Sequence, residues 1–380
     1  ISKLYRKIYT VRLSLFFITL IMTIALFILS INFWLEVEST RKYSKLAINN
    51  SVLQEKINQL YNLLSLEKIN IQYILSISSK SINVPSKDRK EIKKFNEATS
   101  AAYKELLNEL KKHDLKASNK SALENLNLQW IEYQEIKQKI SRIIARVITL
   151  RGTTAGRGNK NNDRDNPADI LLKSWLKISD KICMQLISIS EKLTFRPDRL
   201  VRSIEDLQNF KNLLLRYNEY IYREQAILAG VISIDAPISI EEFNTLSKYQ
   251  SIEKETKISL EKKLERSLEI SDSSKDIEAL FYEKFDKINY FNNSFNSNKI
   301  KLIEEGIAWE KYNQKIKKFI EVIKENKYNN EELIITLSDS ISQLSTNLYK
   351  KSLSNQMIAS TILVVTLLLA FFSFLIVTYT

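Results

Sequence analysis

Two uncharged apolar runs, Leu13 to Leu35 and Met357 to Val377, stand at opposite ends of the 380-residue chain, with nothing comparable between them. Each exceeds the roughly 20 residues that an α-helix needs to cross a ~30 Å hydrocarbon layer. The intervening stretch is then held on one side of a membrane by a helix at each end. Lys3, Arg6, Lys7 and Arg12 precede the first run without an acidic residue among them. The positive-inside bias therefore predicts a cytoplasmic N-terminal flank, an exported middle and a second span that returns. Trp34 and Tyr379 lie near span ends, where aromatic belts form. A cleaved signal peptide is the competing reading of the first run. That run is long for such a segment, and Asn32-Phe33-Trp34-Leu35 is not a small-residue cleavage site.

The boundaries read as a flank over 1–12, a transmembrane helix over 13–35, an extracytoplasmic domain over 36–352 and a second transmembrane helix over 353–380. The expected location is the cell inner membrane, crossed twice. Setting aside the four N-terminal cations, 53 basic residues face 44 acidic ones between the spans, an excess of nine. That excess suits an anionic ligand or an anionic lipid surface. Anchors at both ends argue against a nucleic-acid partner. Cys183 is the only cysteine and His113 the only histidine. No intrachain disulfide, His/Cys metal cluster or histidine-based triad can be assembled from them. No catalytic residue, metal ligand or cofactor loop is expected, and the chain does not read as an enzyme.

Five glycines and four prolines are few for this length, and apolar residues recur at three- and four-residue spacing over long stretches. The fold class is therefore all-α. Pro85, Pro197 and Pro237 each fall in a polar break; Asn166-Pro167-Ala168-Asp169 reads as N-cap, N1 proline and N3 acid. Ser239-x-x-Glu242 is a capping box, and Ser118 to Ser121 and Asn326 to Asn330 read as further turns. About eight helices follow, over 13–80, 87–112, 121–150, 167–194, 199–233, 239–270, 274–325 (broken near Ser297) and 330–379. Short connections favour antiparallel neighbours, and two stacked bundles fit these helix lengths better than one.

Two helices carry a glutamate where an apolar residue belongs. One seam runs Leu53, Ile57, Leu60, Leu64, Glu67, Ile71, Ile74, Ser78; the other runs Leu207, Phe210, Leu214, Tyr217, Ile221, Glu224, Leu228, Val231. A carboxylate at such a position must be paired, hydrogen-bonded or neutralised, because burying it alone costs several kcal/mol. Superposing the glutamates aligns 66–76 with 223–233, and both helices end at a proline-containing turn. Two readings fit: an internal duplication with an offset of 157 residues, or two unrelated amphipathic helices with a glutamate at the seam edge. Between them, Leu150 to Gly158 holds three glycines with Arg151 and Arg157. Such a segment is either an anion-binding nest with a guanidinium fork or a plain interhelical loop. It lacks a preceding strand and a Gly-Lys-Ser/Thr ending, so it is not a phosphate-binding P-loop.

Leu66-Glu67-Lys68-Ile69-Asn70, Arg223-Glu224-Gln225-Ala226 with Ile227-Leu228-Ala229-Gly230-Val231 after it, Val147-Ile148-Thr149-Leu150-Arg151 and Ala308-Trp309-Glu310-Lys311-Tyr312 together resemble the nitrate- and nitrite-sensing domain of bacterial transmembrane receptors. The resemblance extends over roughly 50–350. It implies a sensor that binds a small inorganic anion between helices, and receptor logic adds a homodimer. The candidate ligand-binding residues are Glu67, Lys68, Arg151, Arg223, Glu224 and Gln225. The chain departs from the family at two of them. Lys68 stands where the family usually has an arginine, which keeps the charge but loses the bidentate fork. Gln225 stands at the second arginine position and carries no charge. Arg223 lies about 200° around the helix from residue 225. The alternative function is a ligand-free, membrane-anchored spacer or interaction module that docks a periplasmic protein, with Glu67 and Glu224 paired internally. A kinase, methyl-accepting region or cyclase is expected to follow Thr380.

Overall fold

The computed structural model describes residues 2–79, 86–112, 117–150, 167–193, 202–234, 240–268, 279, 282–283 and 309–379. These form seven long helices and, among the described residues, no strand: α1 (Ser2–Ser79), α2 (Ser86–Lys112), α3 (Ala117–Leu150), α4 (Pro167–Leu193), α5 (Arg202–Ile234), α6 (Ile240–Leu268) and α7 (Trp309–Tyr379). Pro167 opens α4, where its missing N–H costs nothing and its fixed φ suits the first turn. Glu241 and Glu242 occupy the first turn of α6, facing the positive end of the helix dipole.

Three expected boundaries move. α1 already begins at Ser2, because nothing in the basic flank breaks a helix. α3 begins at Ala117, so Ser118 to Ser121 are its first turn and not a break. α7 runs without interruption through Asn326 to Asn330, where a turn was expected. Asn329 and Asn330 are buried, and Asn330 lies beside the Tyr222 hydroxyl of α5. Tertiary burial outweighs the fraction of a kcal/mol by which asparagine disfavours helix. The expected helix over 274–325 falls largely outside the described residues, which show seven helices and neither an eighth nor a stack of two bundles.

The chain divides into two compact units: residues 1–49, 197–202 and 342–380, and residues 50–196 and 203–341. In the first, α1 and α7 each carry a stretch long and apolar enough to cross a membrane. Those stretches turn their large side chains outward: Phe17, Ile21, Met22 and Leu29 on α1, and Ile358, Val364, Phe371 and Phe372 on α7, are all exposed. A core helix would hide such residues. Among the described residues of this unit, the buried positions on α7 recur every seventh residue, Ser345, Ser352, Ala359 and Thr366, and those on α1 are Ser30, Val37, Ser44 and Ala47. Small side chains two turns apart let two backbones approach closely. The Gln356 amide donates to Glu38 at 3.1 Å, which ties the two helices just beyond the apolar stretches. Hydroxyls inside those stretches bond back to their own helix: Thr23 to the Thr19 carbonyl at 2.7 Å and Thr361 to that of Met357 at 2.8 Å. These two hydroxyls are thus satisfied without water.

In the second unit, α1 is the central element. Its residues 60–74 are almost entirely buried, on every face. The apolar seam from Leu53 to Ile74 is buried, as is the α5 seam from Leu207 to Leu228. Each such leucine or isoleucine contributes roughly 1.5–3 kcal/mol by leaving water. α1 and α5 run in the same direction, since their bonded pairs rise together: Gln54 with Lys211, Tyr61 with Leu215, Lys68 with Glu219. α4 runs opposite to both, pairing Asn50 with Leu193, Lys68 with Asp180 and Asn212 with Ser190. The Gln54–Lys211 pair spans the same 157 residues that separate Glu67 from Glu224.

Aromatic rings join the next three helices. Tyr103 of α2 stacks on Trp130 of α3 at 3.9 Å, Trp130 on Tyr133 at 5.0 Å, and Tyr133 packs against Trp175 of α4 at 4.9 Å. Such contacts add about 0.5–1.5 kcal/mol each beyond the area they bury. The ladder ends at the Tyr133 hydroxyl, which points at Glu67.

Candidate functional site: a buried charge cluster on three helices

Four charged groups from α1, α4 and α5 meet in the second unit. The Lys68 ammonium donates to Asp180 at 3.0 Å and to Glu219 at 3.1 Å. The Arg223 Nε donates to the same Glu219 oxygen at 2.8 Å and lies 3.5 Å from Asp180. The side chains of Lys68 and Glu219 are 0% exposed, that of Arg223 14% and that of Asp180 20%. Burial opposes the Lys68 charge, but the carboxylates of Asp180 and Glu219 outweigh it and hold the ammonium above its ordinary range. Arg223 is held up in the same way, against its own desolvation, by Glu219 and Asp180. Two cations and two carboxylates leave the cluster neutral. The guanidinium also sits over the rings of Tyr220 and Tyr249, 5.6 and 5.8 Å from their centroids. Buried beside the cluster, the Cys183 thiol is pushed far up by desolvation and by Glu219.

Glu67 faces elsewhere. It accepts from the Tyr133 hydroxyl and lies 2.6 Å from the Lys137 ammonium, both on α3. Burial pulls Lys137 below its ordinary value even though Glu67 opposes that pull. Glu224 accepts from Gln250 of α6 at 2.9 Å. The two seam glutamates therefore serve different helix neighbours and do not share a site. Gln225 is buried, and its side-chain oxygen has no hydrogen-bond partner among the described residues. Arg151 and the glycine-rich segment after it lie outside the described residues, as does His113.

Of the five candidate residues that the structure describes, Lys68 and Arg223 come together, and Arg223 reaches the partners of Lys68 despite pointing away from position 225. Their carboxylates, Asp180 and Glu219, were missed in the sequence. Glu219 had a local signal, because Glu219 and Arg223 are four apart on one helix, where opposite charges meet. Asp180 had none, since its pairing is made by tertiary packing alone. Among the described residues no group of His, Cys, Asp and Glu side chains is arranged to hold a metal ion.

A second, polar seam runs along α1 and α5, and the apolar periodicity of the sequence gives no sign of it. On α1, Gln54, Asn58, Tyr61, Ser65, Lys68 and Gln72 follow steps of four and three, and all are buried. On α5, Gln208, Lys211, Asn218, Tyr222 and Gln225 fall on the matching rhythm. Lys211 is buried with the Gln54 oxygen at 2.6 Å and no ion pair among the described residues. Desolvation brings its pKa down to about 7. Between about pH 7 and the ordinary lysine range the unfolded chain holds a proton that the folded chain lacks, so stability climbs with pH across that window. Lys211→Met removes this dependence. In urea unfolding from pH 6.5 to 9.5 the wild type gains on the order of 1 kcal/mol per pH unit relative to the variant.

Comparison with models of known protein families, with curated proteins and with solved structures gives no match for this chain.

Proposed function

We propose that the chain is the sensor region of a two-pass transmembrane receptor of the inner membrane, with residues 36–352 extracytoplasmic. The first support is chemical. Apolar side chains that face outward along two long helices find their partner in lipid, and the basic flank before α1 orients it. The observation that carries the reading is the neutral Lys68–Asp180–Glu219–Arg223 cluster, placed on the same uninterrupted helix α1 that bears the first apolar stretch. Such a cluster favours one packing of α1, α4 and α5 while its charges balance. Altering that balance changes which packing is favoured.

The stimulus in this reading is a small oxyanion, nitrate or nitrite by the family resemblance. Asp180 is the replaceable member of the cluster, being its most exposed carboxylate, whereas Glu219 is fully enclosed. An entering anion takes over the guanidinium and ammonium contacts that Asp180 makes, and α4 loses its hold on α1 and α5. The full chain in detergent tests this by thermal unfolding at constant ionic strength, with nitrate, nitrite, chloride and sulfate compared. The expected result is a midpoint shift with nitrate or nitrite, enlarged in Asp180→Asn, which vacates the contacts. Identical midpoints in all four salts contradict the anion reading.

A second reading keeps the same membrane topology but no ligand: a spacer that docks a periplasmic protein. The internal pairing of Glu67 with α3, Glu224 with α6, and Lys68 and Arg223 with Asp180 and Glu219 favours it. A stoichiometric protein partner that copurifies, together with no response to anions, selects this reading over the first.

A further inference from the structure

α1 and α7 bound a groove of ≈ 250 Å³ within the first unit, lined by Phe33, Val37 and Leu348 with Glu36, Thr40, Lys351, Ser352 and Asn355 around them. It begins between Phe33 and Asn355, where both apolar stretches end, and runs about two helical turns to Thr40 and Leu348. Its walls are apolar, while its flanks carry one charge of each sign: Glu36 on α1 and Lys351 on α7. Neither takes part in an ion pair among the described residues, in contrast to Glu38, which holds Arg41 and Lys42. Lys350 lies next to Lys351 in the chain, and both are exposed.

We infer that this groove is a binding site for one phospholipid whose headgroup carries both a phosphate and a primary ammonium. The inference rests on the membrane reading above. If the apolar stretches lie in a bilayer, the groove opens at the boundary between acyl chains and headgroups. Part of an acyl chain fits along Phe33 and Val37, at the end of the groove nearer the apolar stretches. The phosphate meets Lys351 as a charge-assisted hydrogen-bond donor, and the ammonium meets the Glu36 carboxylate across the groove. A purely anionic headgroup answers only the lysine, and a quaternary ammonium has no N–H for Glu36 to accept. Two opposite charges facing one groove thus select for headgroup chemistry and not merely for charge. A second copy of the chain, the other occupant of such a groove, would need to bring its own pair of charges.

The test uses the full chain in nanodiscs made from equal parts of phosphatidylethanolamine, phosphatidylglycerol and phosphatidylcholine, followed by gentle detergent release and native mass spectrometry. The expected result is retained phosphatidylethanolamine about fivefold more abundant than either of the other two lipids. Glu36→Gln and Lys351→Ala each bring retention back to the disc composition, while Lys350→Ala leaves the enrichment in place. Retained lipid that mirrors the disc in the wild type overturns the inference, as does a lipid-free dimer or enrichment that survives both substitutions. A prior flotation assay separates this from the membrane reading. A chain that fails to float with vesicles overturns both, whereas one that floats but shows no enrichment overturns only the groove.

Discussion

Lys68→Met lowers the unfolding free energy of the full chain by about 3–5 kcal/mol, the range for removing one member of a buried ion pair. The cause is not the loss of one attraction. Lys68 and Glu219 are both fully enclosed, so removing the ammonium leaves Glu219 and Asp180 sharing Arg223 alone, with one negative charge too many beside a carboxylate that has no exposure to solvent. The double variant Lys68→Met/Glu219→Gln restores neutrality, because Arg223 then faces Asp180 alone. It is therefore more stable than Lys68→Met, and the double-mutant cycle shows a coupling of roughly 1–3 kcal/mol. If the two substitutions are simply additive, the shared cluster is not an energetic unit. Chemical unfolding followed by circular dichroism makes the comparison, with each variant checked for the same slope against denaturant.

Trp175→Ala costs a similar amount, about 3–5 kcal/mol, for a different reason. Its indole is fully buried on α4 and packs against Tyr133, which stacks on Trp130 and through it on Tyr103. Alanine leaves a void that α2, α3 and α4 cannot close without moving, because Tyr133 is also tethered to Glu67. The void loosens the ring whose hydroxyl completes the environment of Glu67, so Trp175→Ala and Tyr133→Phe are non-additive. As a control, Leu128→Ala on the exposed face of α3 changes stability by less than about 0.5 kcal/mol. Equal losses at Leu128 and Trp175 would contradict this account of the core.

The all-helical architecture was legible because its cause is local. Scarce glycine and proline, apolar periodicity and the Asn166-Pro167 start leave little choice of element. The apolar seams were legible too, down to the buried positions of Glu67 and Glu224. What escaped notice is tertiary. Reading one seam per helix assumes one buried face, yet residues 60–74 of α1 are buried on nearly every face, and its second seam of Gln54, Asn58, Ser65, Lys68 and Gln72 resembles a solvated face in one dimension. The partners of Lys68 come from helices more than 100 residues away, with no signal in its own neighbourhood. Asn326 to Asn330 misled for the converse reason. Asparagine prefers turns, but burial of Asn329 and Asn330 holds the helix through them. The two apolar ends were plain as stretches long enough to cross a membrane, while the groove at their margin depends on α7 lying against α1.

In the proposed sensor the charge cluster holds α1, α4 and α5 in one of two packings. Paired spin labels at Val52 on α1 and Lys181 on α4, both exposed, measure it directly in the full chain in nanodiscs, with Cys183 replaced by serine so that only those sites are labelled. The wild type is predicted to give one narrow distance. Glu219→Gln, which leaves Lys68 and Arg223 in excess, is predicted to give a second, displaced population, and nitrate is predicted to produce that same displacement in the wild type. A single unchanged distance under all three conditions contradicts the account.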